Sequence, residues 1–212
     1  MPQFHYIPNH GYAEIKMKGD KPLLLVPLDS KLARRFAGFG LIKKDLDQVK
    51  EALQCLAAGV NSKIIKQSLS FYAVVTYAKC FSDAEGRGVK LDVKDALIYA
   101  SKDAITEHYR LIEQRNNYVA HAGDKGYEEN AVVVSVDPEE AFVTPVYPNI
   151  VYLIDIDSQL NNFFYLVQAL EQYITENMKK NYVRLEKEIG ETGIEQLLQY
   201  AIHPDLDNSV KF

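Results

Sequence analysis

The chain has 212 residues, 47% of them apolar and 25% charged, the balance of an ordinary globular protein with one substantial core. A net charge of −5 argues against a broad, non-specific nucleic-acid footprint, which needs a basic face, while leaving room for a local basic groove. Apolar runs such as "LLLV" and "AVVV" fall far short of a membrane span, and "MPQFHYIPNH" lacks the basic and apolar regions of a secretory signal, so a cytoplasmic protein without membrane contact is expected.

In chain order, His5 and His10 of "HYIPNH" invite a metal reading, but Pro8 lies between them and no carboxylate or thiol is near; a mobile terminus is expected. In "YAEIKMK", Ala13, Ile15 and Met17 alternate with Glu14, Lys16 and Lys18, the period of a strand. "GDKP" turns the chain, and "LLLVPL" follows as a short apolar strand. Asp29 or Ser30 can then cap a short helix through "KLARRFAGF".

The middle is helical. Leu41, Ile42, Leu46, Val49, Leu53, Leu56 and Val60 recur at steps that mark one face of an amphipathic helix. Ser62 caps a second helix, "KIIKQSLSFYAVVTYAKCF", whose apolar character on most sides predicts a central place in a bundle. Cys55 and Cys80 show no metal-like spacing and are expected to be buried, reduced thiols. After "SDAEGRG" a third helix begins near Asp92 and runs into "LIEQRNNYVAHAGD". The interior tyrosines Tyr72, Tyr77, Tyr99, Tyr109 and Tyr118 are expected in the core with hydroxyls reaching its edge.

Beyond "HAGDKG", "NAVVVSV" and "AFVTPVY" flank the turn sequence "DPEE" and predict a hairpin, one that could share a sheet with the N-terminal strands. From Asp157 a long helix carries Leu160, Phe163, Phe164, Val167, Leu170, Ile174, Met178 and Leu185 at helical spacing. Gly190 is expected to end it, "IEQLLQYA" to form a last short helix, and "HPDLDNSVKF" an irregular tail. The expected architecture is mainly α: one domain over 1–212, a bundle of four to six helices (about 30–122 and 157–202) with a small antiparallel β appendage (about 12–28 and 130–147).

One constellation stands out. Steps of three and four along the third helix connect Leu97, Ser101, Ala104, His108, Leu111, Arg115 and Tyr118, which puts Arg115 on the inward stripe with Asn116 beside it. A guanidinium is rarely buried without a partner, so either a bundle carboxylate meets it or the seam opens to solvent or ligand. His121 follows six positions on, roughly 240° around a continuous helix and about 9 Å along it. The two side chains converge only if the helix unwinds near Ala120, or if two copies share a cleft across a two-fold axis.

Arg115-Asn116, four further residues and then His121 resembles the Arg–polar–x(4–6)–His signature of the HEPN superfamily (higher eukaryotes and prokaryotes nucleotide-binding). The resemblance covers roughly Leu41 to His121 and the long helix after Asp157. It implies a helical bundle that forms a homodimer and places both motifs in one cleft. It also implies an RNA or nucleotide ligand, no metal or cofactor, and in active members metal-independent ribonuclease chemistry, many of them in toxin–antitoxin, phage-defence or RNA-processing systems. In that chemistry a ribose 2′-hydroxyl attacks the adjacent phosphate, His121 moves the proton, Arg115 grips the phosphoryl oxygens, and Asn116 orients the phosphate or the histidine. Tyr118 could stack on a base, and His108, two turns before Arg115, would be either a satisfied core histidine or a support for bound substrate. Arg34, Arg35, Lys43, Lys44, Lys179, Lys180 and Arg184 are candidate phosphate contacts or simply solvated. A cognate antitoxin or nucleotidyltransferase is an implied partner; in one toxin branch the nucleotidyltransferase modifies a tyrosine two residues after the histidine, a position held here by Gly123. Other members of the superfamily are non-catalytic binding modules for a nucleotide, an RNA or a protein, and that alternative stands beside the enzyme.

Overall fold

A computed structural model of the chain describes residues 3–7, 11–83, 87–116, 133–137, 142–146, 159–204 and 210–211, and shows a mainly helical protein with a small antiparallel β part. The chain divides into two compact units, Met1–Ala37 with Met178–Phe212 and Gly38–Asn177. The division falls inside two long helices, α1 (Lys31–Ala57) and α5 (Leu160–Thr192).

In the first unit, β1 (Gln3–Ile7) pairs antiparallel with β2 (Gly11–Glu14) on one side and with β7 (Val210–Lys211) on the other. The expected mobile N-terminus is therefore a strand through Gln3–Ile7, and the expected irregular tail pairs with it at Phe4↔Val210. His5 stands opposite Ala13 in this ladder. The alternating stretch forms two elements rather than one strand: β2 ends at Glu14, and β3 (Met17–Lys18) turns through Gly19, at φ 62, into β4 (Lys21–Pro22). Ile15 between them is buried, whereas Met17 is exposed. "LLLVPL" does not form a strand. It makes one bridge, Leu25 to Ile202, and leaves Leu23 and Leu24 exposed, because an apolar run without a partner strand has no ladder to join.

Ser30 accepts the Ala33 N–H at 3.1 Å and starts α1, which runs 27 residues without a break. The short helix and the amphipathic helix expected separately are thus one element. Its face Ile42, Leu46, Val49, Leu53 and Leu56 is buried, whereas Leu41 and Cys55 are exposed, which corrects the expectation of two buried thiols. The second helix, α2 (Lys63–Lys79), buries Ala73, Val74, Tyr77 and Ala78 but exposes Ile64, Ile65, Tyr72 and Val75, so it lies against the bundle on one side and is not enclosed. Ser62 precedes it without a side-chain cap bond.

The third helix of the sequence reading is two helices. Asp92 caps the single turn α3 (Val93–Ala96) by accepting the Lys94 N–H; the chain then leaves helical geometry, and Ser101 caps α4 (Lys102–Gln114) through the Ala104 N–H at 3.2 Å. Helix α5 contributes Phe163, Leu166, Val167, Leu170 and Ile174 to the core and passes through Gly190; it is Gly193, at φ 77, that separates it from α6 (Ile194–Leu198). Tyr77 of α2 meets Phe163 of α5 edge to face at 5.3 Å, and Lys50 of α1 pairs with Glu171 of α5 at 2.9 Å. Strands β5 (Val133–Asp137) and β6 (Phe142–Val146) form the predicted hairpin as a two-stranded sheet of their own, separate from the N-terminal strands. No described helix is long and apolar enough to cross a membrane.

Candidate functional site

Helix α4 starts at Ser101, and its buried face is Ala104, Glu107, His108, Leu111 and Gln114. From Leu111 the inward step leads to Gln114, so Arg115 stands beside the buried face and not on it, half-buried, with Asn116 exposed. This places Arg115 at the rim of the seam, where a charge keeps access to water. The backbone winds wider at Arg115 and Asn116, as a π-helical turn.

Arg115 Nη1 donates to Asn116 Oδ1 at 2.9 Å. A guanidinium can only donate, so the amide must turn its oxygen towards it, and the Asn116 NH₂ then points elsewhere. The pair presents mainly donors, the remaining guanidinium N–H groups and the Asn116 NH₂, beside the second lone pair of Oδ1. Among the described residues no ion pair involves Arg115, so the bundle carboxylate considered as its partner is not found there. The neighbouring Gln114 is buried with its Oε1 lacking a hydrogen-bond partner among the described residues. His121 and Tyr118 lie outside the described residues.

His108 is enclosed, with 2% of its surface exposed. Its Nδ1 lies 2.6 Å from Tyr77 Oη, and the ring packs against Phe81 at 4.5 Å and Tyr109 at 5.1 Å. Burial lowers its pKa to about 4, so the ring is neutral near pH 7. A substrate could reach His108 only by displacing these rings, and the geometry is that of a satisfied core histidine. Of the other tyrosines expected in the core, Tyr77 is there, with burial holding its phenol protonated, but Tyr72, Tyr99 and Tyr109 are exposed. Two of the candidate phosphate contacts are already engaged, Arg34 with Asp29 at 2.9 Å and Lys43 with Asp47 at 3.0 Å.

Sequence reasoning missed a buried charge cluster. Asp45 projects from the apolar face of α1 and meets the Arg87 guanidinium, both nearly closed to solvent, while Lys79 reaches the other Asp45 oxygen at 3.2 Å. Arg87 also donates to the Lys79 carbonyl at 3.1 Å. Cys80 lies against this cluster, its pKa pushed up to about 12, chiefly by burial and then by the Asp45 charge, which suits an inert thiol. The signal was present, since Asp45 falls between Ile42 and Leu46 on a face that is otherwise apolar. On α4, Glu107 is likewise buried and holds Arg110 Nε at 2.6 Å.

A groove of about 480 Å³ lies between the start of α4 and the exposed flank of α5, lined by Tyr99, Ser101, Asp103, Asn162, Tyr165, Gln168, Ala169 and Gln172. Tyr99 Oη donates to Glu176 at 2.6 Å. Among the described residues its lining has no lysine or arginine, which sets it apart chemically from the Arg115–Asn116 rim. No group of three or more His, Cys, Asp or Glu side chains among the described residues is placed to hold a metal ion. No protein-family model, curated protein or solved structure matches the chain.

Proposed function

We propose that the protein is a HEPN-like, metal-independent endoribonuclease of toxin or phage-defence type, acting as a homodimer with a composite site of Arg115, Asn116 and His121. The observation that carries the proposal is the Arg115–Asn116 pair at the rim of α4, where a guanidinium and a carboxamide NH₂ set several N–H donors side by side. Such an array complements a phosphodiester, whose non-bridging oxygens only accept. The helical bundle that supports the pair is the architecture the resemblance requires.

In the proposed reaction the ribose 2′-oxygen forms a bond to phosphorus and loses its proton to the His121 imidazole. The bond from phosphorus to the 5′-oxygen breaks, and that oxygen takes up a proton, leaving a 2′,3′-cyclic phosphate and a 5′-hydroxyl. Arg115 and the Asn116 amide stabilise the charge that builds on the phosphoryl oxygens. Arg115 and His121 from two copies meet in one cleft, and Tyr118 offers a ring for a base. A cognate antitoxin or nucleotidyltransferase would restrain the activity.

The test is incubation of the purified protein with a structured RNA pool in EDTA, beside Arg115→Ala and His121→Ala, with thermal melting and solution mass for each. The expected outcome is cleavage to cyclic-phosphate ends by a dimer, reduced roughly hundredfold or more in both folded variants. Folded, dimeric wild type that cuts none of the RNA would overturn the enzyme and leave the non-catalytic binding module.

A further inference from the structure

The groove between α4 and α5 differs in chemistry from any polyanion site. Its walls supply three carboxamides, a serine and one carboxylate, Asp103, together with the rings of Tyr99 and Tyr165. Among the described residues the lining has no lysine or arginine to serve a phosphate as counter-charge. A bound cation is also poorly matched, because Asp103 sits in the first turn of α4, where the positive end of the helix offsets its charge. Carboxamides both donate and accept, so the pattern asks for a neutral ligand whose groups do the same.

The rings are presented rather than buried. Tyr99 has its hydroxyl fixed on Glu176 while 42% of the residue stays exposed, and Tyr165 is 61% exposed. Asp103 is exposed and makes no ion pair among the described residues. Gln172 Nε2 approaches Glu176 Oε1 at 3.5 Å, so one carboxylate positions both an aromatic wall and an amide of the floor. The volume, about 480 Å³, falls within the range of small-ligand clefts.

We propose that this groove binds a saccharide: a neutral, polyhydroxylated ring with a flat C–H face lying on a tyrosine and neighbouring hydroxyls bridging Asp103 and the carboxamides of α5. Each hydroxyl can donate to the carboxylate and accept from an amide, and a carboxylate acceptor strengthens the bonds it receives. The proposal is independent of the ribonuclease reading, since the groove shares no residue with the Arg115 rim.

The full-length protein would be titrated by calorimetry and by amide chemical shifts with glucose, N-acetylglucosamine, cellobiose and chitobiose. Adenosine and spermidine serve as a neutral aromatic and a cationic control. Saturable binding of at least one sugar is expected, with shifts confined to residues 99–103 and 162–172. Asp103→Asn and Tyr165→Ala, both surface changes that leave the core intact, should each weaken it by about three- to tenfold. Tighter binding of the disaccharides than of their monomers would assign the site to a sugar polymer, and equal binding to a free sugar. The proposal is overturned if no sugar saturates the groove, if either variant binds like the wild type, or if adenosine or spermidine binds there more tightly than every sugar.

Discussion

His108 shows what one titratable ring contributes when the bundle closes over it. Its Nδ1 faces a Tyr77 hydroxyl that burial keeps protonated, so the phenol can donate to a neutral imidazole. Protonating the ring would turn Nδ1 into a donor, reverse that bond and place a charge among Phe81, Tyr109 and Tyr77. The folded-state pKa, about 4, lies below the ordinary 6.5, so the unfolded chain binds the proton more readily. The stability that this ring confers is therefore fully present above pH 6.5 and lost as the pH falls towards 4. Urea midpoints measured across that window should decline more steeply for the wild type than for His108→Gln, which keeps a polar partner for Tyr77 without titrating. Parallel curves would show that the histidine is not closed off as described. At this scale the sequence also revealed the Arg115–Asn116 pair, but not on which side of the helix it falls. The stripe holds through Ala104, His108 and Leu111, and it fails at the last step, where three residues lead to the buried Gln114 and four to Arg115; a spacing of about 3.6 does not choose between them.

Among the elements, α1 was read correctly along its buried stripe from Ile42 to Leu56 and wrongly at its start, where Gly38 and Gly40 resemble punctuation. The two glycines have different reasons to be there. A Cβ on Gly38 would stand 2.8 Å from Val89 Cγ2 and closer still to the Arg87 carbonyl oxygen, so the absent side chain lets the segment after α2 lie on α1. That contact brings Arg87 over Asp45, seven residues further along α1. A buried pair of this kind is costly to break singly, because the remaining charge has no solvent to turn to. Gly40, by contrast, has nothing within 4 Å of where its Cβ would be. Gly38→Ala should therefore destabilise the protein by roughly 1–3 kcal/mol through steric conflict. Gly40→Ala should stabilise it by about 0.5–1 kcal/mol through helix propensity. Chemical denaturation of the two variants tests both signs, and a shift of the same sign in each would contradict the packing of residues 87–89 against α1. Neither this contact nor the α4–α5 groove could be read from periodicity, since each joins segments far apart in the chain, 38 with 87–89 and 99–103 with 162–172.

For the molecule as a whole, the distribution of buried apolar side chains decides which parts hold together longest. Among the described residues of the first unit, Ile7 and Ile15 are the buried hydrophobic ones, whereas the buried set from Phe39 to Ile174 belongs to the second. The first unit meanwhile exposes Leu23, Leu24, Val183, Ile194, Leu198 and Tyr200. Its order rests on short ladders, four paired positions between β1 and β2 and two between β1 and β7, and on the Leu25–Ile202 bridge. Hydrophobic burial is the dominant stabilising term, so the strands should open locally at a smaller free energy than the bundle's global unfolding. Native-state hydrogen exchange should accordingly show the amides of Gln3–Ile7 exchanging at least about tenfold faster than those of Ile42–Leu53, with weaker dependence on denaturant. The paired amides of β1 should also lose protection together, because β2 and β7 both depend on that one strand. Exchange of strands and bundle in a single cooperative step would mean that the ladders are held by burial beyond that of the described residues, within the chain or from a second copy. The concentration dependence of that step would then show whether a second copy supplies it.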